Sequence, residues 1–128
     1  MFKILRKYYQ AADIYFHSSK IDTYSNAIME ALACGLATVA YETGGNIEQI
    51  IPYNKSSNFF DKSKSPTGAL IPQFDIQELQ NILLELVEKD TRHKELSVNA
   101  REYSVNNFNF NQFANNYLKW YEDILASS

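Results

Sequence analysis

The stretch from Ala12 to Glu42, ADIYFHSSKIDTYSNAIMEALACGLATVAYE, changes its apolar period twice, and this sets the fold class. ADIYFHSS (12–19) reads as a strand whose polar end, His17-Ser18-Ser19, opens a loop. SNAIMEALAC (25–34) reads as a helix that Gly35 stops just past its end. LATVAYE (36–42) is a second strand. Helical and strand periods taking turns in this way predict an α/β fold with parallel strands. The pattern continues: Thr43-Gly44-Gly45 turns into a short helix, NIEQII, that Pro52 ends, and GALIP (68–72) supplies a third strand. Asp75 followed three residues later by Glu78 is a capping-box-like start for a helix over 76–88, with Ile76, Leu79, Ile82, Leu83 and Leu86 as its apolar stripe.

Flanking segments are helical as well. A short helix is predicted over 3–11 and a weakly periodic one near 91–106. The last, over 110–126, places Phe110, Phe113, Tyr117, Tyr121 and Ile124 on one face at three-and-four spacing. That face needs a partner surface, and a stripe of this kind is more often core than interface. Residues 53–67, YNKSSNFFDKSKSPT, are polar and predict an exposed, mobile loop. No linker divides the chain, so residues 1–128 are expected to form one domain, which at this length buries about two-thirds of the surface its unfolded chain exposes.

Charge and cysteine content narrow the function. Twelve basic and fifteen acidic residues, a net charge of -3, build no positive field suited to nucleic acid. No apolar run nears the roughly 20 residues of a membrane helix, and MFKILRKYYQ lacks a signal-peptide core, so a cytoplasmic protein is expected. The single cysteine, Cys34, stands among Leu32, Ala33 and Leu36 and reads as core. His17 and His93 are far apart in sequence, and no cluster has metal-ligand spacing, so no metal is expected.

Within the otherwise apolar run AIMEALACGLATVA, Glu30 is the one carboxylate. On a helix starting at Ser25, positions 28, 31, 32 and 35 form the core stripe, and Glu30 lies about 200° round from Ile28, on the face of Asn26. The first N–H groups of that helix, at Ser25 and Asn26, suit a phosphate, because unpaired donors and the helix dipole both favour negative charge. Glu30 lies about 6 Å further along the axis, roughly the offset between a nucleotide's diphosphate and its ribose. Asp22 sits in the loop where a sugar on the same diphosphate would project. Glu is also a good helix former on a solvent-facing strip, and Asp22 and Ser25 fit ordinary capping chemistry.

The wider string, SSKIDTYSNAIMEALACGLATVAYETGGNIEQII, resembles the nucleotide-sugar-binding segment of glycosyltransferase family 4. Members carry an acidic residue, seven intervening positions, a Glu opening an EA-x-A-x-G block, a strand and a Gly-Gly turn. Glu30-Ala31-Leu32-Ala33-Cys34-Gly35 matches that block. The likeness runs from Tyr8-Tyr9-Gln10-Ala11-Ala12-Asp13 through Gly68-Ala69-Leu70-Ile71 and Asp75 to the terminal aromatic helix. It implies a GT-B enzyme of two facing Rossmann-like domains, of which this chain is a partial C-terminal domain: a three-layer α/β/α unit with a small parallel sheet.

The resemblance further implies a retaining transfer of sugar from a nucleotide-diphosphate sugar, UDP- or GDP-linked, to a glycan or lipid acceptor, without metal or cofactor. Glu30 would bind the ribose hydroxyls. Asp22, the catalytic candidate, stands for the family's first glutamate near the sugar and is one methylene shorter. Backbone N–H groups of Tyr24, Ser25 and Asn26 would face the diphosphate and sugar. The Gly44-Gly45 turn would let backbone approach the site, although Gly-Gly before a helix is also an ordinary turn signal. Ala37 departs from the usual Pro, and Ser25 from the usual Gly or Pro.

Lys3, Arg6, Lys7 and Lys20 do not occupy the family's cationic motif positions, which precede this segment. The acceptor domain and first donor-domain strands are thus expected to be missing, as though a longer enzyme had been cut just before Met1. The isolated chain is expected to be inactive and prone to self-association through its uncovered edge and aromatic face. The full enzyme is expected at the cytoplasmic membrane face. Two alternatives stand beside this: a fragment of a nucleotide-sugar epimerase, and a non-catalytic subunit docking through its terminal helix on a partner that carries the missing domain.

Overall fold

Three short strands, β1 (Ile14–His17), β2 (Ala37–Tyr41) and β3 (Gly68–Ile71), form a parallel sheet in the order β1-β2-β3. Ile14 pairs with Ala37, and Thr38 with Gly68. The structure is a computed structural model that describes residues 2–128, with side-chain surroundings from Lys3 onward. Met1, the first position of the expected 1–128 domain, lies outside the described residues.

All five residues of β2 are buried, as befits the middle strand, and its ATVAY sequence has no polar face because helices cover both sides. On one face Ala37, Val39, Tyr41, Ala69 and Ile71 pack with Ile82, Leu86 and Leu96; on the other Ala40 and Leu70 pack with Ile28, Leu32, Ile50 and Ala100. The first helical layer is α4 (Ile76–Glu88) and the second is α2 (Asn26–Ala33) with α3 (Asn46–Gln49). α5 (Asp90–Asn107) lends Leu96 to one core and Ala100 to the other, joining the two layers at one end of the sheet. This is the expected three-layer α/β/α, Rossmann-like arrangement.

The helix ends follow their sequence signals. Gly35, at φ +75°, takes the left-handed conformation past α2; Gly35 N–H donates to Leu32 O and Leu36 N–H to Ala31 O, both at 3.0 Å. That pair of bonds satisfies carbonyls the helix end leaves open, and a side chain at Gly35 would strain it. Asp75 caps α4 by accepting from Glu78 N–H at 2.9 Å. The Glu78 carboxylate does not reach back to complete the box; it accepts from the Ser56 hydroxyl instead.

Three expectations need correction. Ile76 is not part of the buried stripe of α4 but is 62 % exposed, because it opens the helix, one turn and more before the buried Ile82 and Leu86. Segment 53–67 is not simply an exposed insertion: Asn54, Ser57 and Thr67 are buried, and the Asn54 amide donates to Leu70 O (2.7 Å) and accepts from Leu70 N–H (3.1 Å). The Asn54 amide thus substitutes for a further strand partner at β3. Third, α6 (Phe110–Ala126) buries none of its residues. Phe110, Phe113, Tyr117, Tyr121 and Ile124 share a face as expected, but that face is not core: the rings touch one another, Phe113 and Tyr117 at 4.7 Å between centroids. α1 (Phe2–Ala11) meets the rest through Tyr9, with most of its other side chains exposed. Among the described residues no helix is long and apolar enough to cross a membrane.

Candidate functional site

Because the strands are parallel, the carboxyl ends of β1 and β2 open on the same side, and the loops that follow them meet there. Thr43 Oγ1 donates to Lys20 O at 3.0 Å, Gln73 Nε2 to the same carbonyl at 2.8 Å, and Gly45 N–H to Asp22 O at 3.0 Å. A Cβ on Gly44 would lie 1.8 Å from Asp22 O, and one on Gly45 1.9 Å from Thr23 O. The close backbone approach expected of this turn is therefore made to the Asp22-Thr23 backbone, and the glycines' role is to seat the loop carrying Asp22.

The start of α2 is held in the same way. Ser25 Oγ accepts from Ile28 N–H at 3.3 Å, so Ser25 is the N-cap. Its own N–H is not free, contrary to expectation: it donates to Gln49 Oε1 at 2.9 Å, while Gln49 Nε2 donates back to Ser25 O at 2.8 Å. Both residues are buried, so the Gln49 amide satisfies a backbone donor and acceptor that water does not reach. At this terminus the N–H groups of Tyr24, Asn26 and Ala27 have no partner among the described residues. Asn26 is exposed and Tyr24 is 45 % exposed at its mouth.

Two carboxylates stand beside this terminus, each gripped by an aromatic partner. Glu30 Oε2 accepts from the Tyr9 hydroxyl at 3.1 Å. Glu30 therefore does not face open solvent: α1 lies over it, and the two line a cleft of about 260 Å³ with Leu5, Arg6, Ala33 and Cys34. Burial, then the bond to Glu30, pushes the Tyr9 phenol up to about 12. Asp22 Oδ2 lies 3.0 Å from His17 Nε2, and His17 Nδ1 lies 3.1 Å from the Tyr15 hydroxyl. Tyr15 stands between the two acids: burial first, then Glu30, then Asp22 raise its phenol pKa. Its ring meets Tyr9 edge-on at 5.9 Å, closing a row that runs Glu30, Tyr9, Tyr15, His17, Asp22. Tyr24 is raised too, by burial first and then by Glu48.

His17 and Gln49 are the members of this site that sequence reasoning passed over. A signal for His17 existed: on a strand, residues 15 and 17 share a face, and Asp22 follows within one loop. Gln49 carried none, since its partner is a backbone amide 24 positions away. Lys20 points elsewhere, its ammonium 5.1 Å from the centre of the Phe74 ring. A cleft of about 960 Å³ lies at the other end of α2, beside Cys34, Gly35 and Arg101, and holds neither Asp22 nor Glu30. Among the described residues no three His, Cys, Asp or Glu side chains gather as a metal site would require.

Comparison with known proteins gives a consistent picture. The family model "Glycosyl transferases group 1" matches residues 3–103. An uncharacterized glycosyltransferase of Methanocaldococcus jannaschii is 29 % identical over 118 residues, which are 91 % of this chain and 27 % of the relative. A GDP-mannose-dependent alpha-mannosyltransferase of Corynebacterium glutamicum is 28 % identical over 120 residues, 94 % of this chain and 26 % of its own. Among solved structures, sucrose-phosphate synthase from Thermosynechococcus elongatus matches with a TM-score of 0.80 at 26 % identity, across 98 % of this chain and 29 % of that one. The chain thus spans about a quarter of the length of these relatives.

Proposed function

The chain belongs to the group 1 glycosyl transferases, and we propose that it is the donor-binding part of a retaining family 4 enzyme, one that moves a sugar from a nucleotide-diphosphate sugar to a glycan or lipid acceptor. The observation that carries this reading is the pair of carboxylates, Asp22 and Glu30, flanking the capped start of α2 on the open side of the sheet. The diphosphate meets the Asn26 and Ala27 N–H groups, where the positive end of the helix dipole favours it. Glu30 retains an oxygen for the ribose hydroxyls, and Asp22 accepts from a sugar hydroxyl. Tyr24 borders the opening, Ser25 caps the helix, and Gly44 and Gly45 hold Asp22 in place. The mannosyltransferase relative, whose name specifies GDP-mannose, supports a nucleotide sugar as the donor class.

A departing diphosphate needs positive charge around it, and at the start of α2 the Lys20 ammonium is turned to Phe74 while Arg6 lines the Glu30 cleft with Ala33 and Cys34, towards the far end of the helix. The 128-residue chain accordingly binds donor and does not transfer sugar; cations from elsewhere in a full enzyme complete the reaction. The test is an NMR amide titration with UDP, GDP, ADP and their sugar conjugates. Shifts centred on residues 22–30, weakened in Glu30→Gln, are expected. Millimolar nucleotide without shifts, or measurable transfer by the pure chain, would refute the respective half of the reading.

A second reading draws on the bare aromatic face of α6: a non-catalytic subunit docking there on a partner that carries the acceptor domain. It predicts a co-purifying chain that is lost when Tyr117 and Tyr121 are changed to Ser.

A further inference from the structure

We infer that His17 is a positioning residue of the donor site: its imidazole, aligned by Tyr15, holds the Asp22 carboxylate in the orientation in which it meets the sugar of the donor. The inference rests on the donor-site reading and goes past it, because it assigns a function to a side chain that the carboxylate pattern leaves out. An ionised carboxylate only accepts, so the 3.0 Å contact to Asp22 Oδ2 requires the hydrogen on His17 Nε2. In the neutral ring Nδ1 then accepts, and the Tyr15 hydroxyl at 3.1 Å is its donor. Tyr15 is itself seated against the core of Ile28 and Leu32, so a continuous chain of contacts joins that core to the loop.

The arrangement leaves Asp22 little freedom. One carboxylate oxygen faces His17, the residue's own carbonyl accepts from Gly45 N–H, and Oδ1 has no partner among the described residues and is left for a ligand hydroxyl. Asp has one rotatable bond fewer than Glu, and an acceptor already held by His17 loses less entropy on binding. His17 acts through Asp22 and touches no donor atom in this scheme.

The experiment uses the whole 128-residue chain. Long-range nitrogen-proton spectra of the imidazole at neutral pH should show the Nε2–H tautomer in the free protein. Titrations with UDP, UDP-glucose, GDP and GDP-mannose then separate the sugar's contribution from the nucleotide's. His17→Ala should weaken the bound sugar conjugate about tenfold while leaving its bare nucleotide within about twofold. His17→Gln, whose amide nitrogen sits near the place of Nε2, should recover most of the loss. Tyr15→Phe, which removes a single oxygen, should weaken the conjugate in the same sense but less. An Nδ1–H tautomer, no loss in His17→Ala, or equal loss for nucleotide and conjugate would overturn the inference, the last making His17 a mere staple of the loop. If neither ligand class binds the wild-type chain, the donor-site reading falls and this inference falls with it.

Discussion

α2 and α6 carry the same signal in sequence, apolar side chains at three-and-four spacing, and meet opposite fates. Ile28, Ala31 and Leu32 of α2 are wholly buried against β2 and α5, whereas Phe110, Phe113, Tyr117 and Tyr121 of α6 lie open, at 47–78 % exposure. Periodicity reports that a helix has an apolar face; it does not report whether the chain supplies something to cover it. α2 is held between the sheet, whose strands β1 and β2 its own flanking loops join to it, and α5. Nothing in the sequence ties α6 to the sheet, and its aromatic rings pack among themselves, Tyr117 edge to face with Trp120 and tilted against Tyr121.

The comparison can be broken or sharpened by mutation. The largest effect is expected in α2: Ile28→Ala should cost about 2–5 kcal/mol in denaturant unfolding. A cost below 1 kcal/mol would mean that α2 is no better anchored than α6. Next is the clamp at its start. Gln49→Leu strands the buried Ser25 N–H, at about 1–3 kcal/mol, while the Ser25 carbonyl keeps its bond from Met29 N–H, and it should also speed hydrogen exchange at Ser25.

A smaller effect is set by pH at the contact between α1 and α2. The Tyr9 phenol is held up to about 12 in the folded chain against about 10 unfolded, so the protonated form is the one folding favours. Its contribution is complete below pH 10 and is lost as pH rises towards 12. Tyr9→Phe should therefore show a shallower fall in stability across that window, and an unchanged slope would remove the Tyr9–Glu30 bond from the account. The smallest effect belongs to α6, where Tyr121→Ser should shift stability by no more than about 0.5 kcal/mol. A loss of 2 kcal/mol there would show the helix to be packed in solution, by a second copy or by the chain itself.

What the residues disclose in advance follows the same division. The α/β class, the parallel strands and the ends of α2 and α4 were legible because each rests on neighbours within a few positions: Gly35 after Cys34, Asp75 before Glu78. Asp22 and Glu30 were singled out as candidates by their spacing about a helix start together with the likeness of the string around them to a family motif, and both lie beside that start. Details that depend on distant partners were not. Asn54 beside Leu70, Gln49 beside Ser25 and Tyr9 over Glu30 are meetings of residues far apart in the chain, and no local pattern encodes them. His17 lay between: its face was readable from strand alternation, but its partner depended on where loop 18–23 folds, which Gly44 and Gly45 decide.

The strand order has a consequence for the time the chain takes to fold. β1 reaches β2 only after residues 18–36 have looped back, and β2 reaches β3 only after residues 42–67 have done so, and the sheet contains no hairpin. No sheet contact can therefore form before a long loop closes, and closure costs entropy before pairing returns anything. Refolding should be slow for so short a chain. The shorter loop should close first and pair β1 with β2, so the docking of β3 should come last, and the amides of the middle strand, Ala37–Tyr41, should be the last to exchange with solvent once the protein is made.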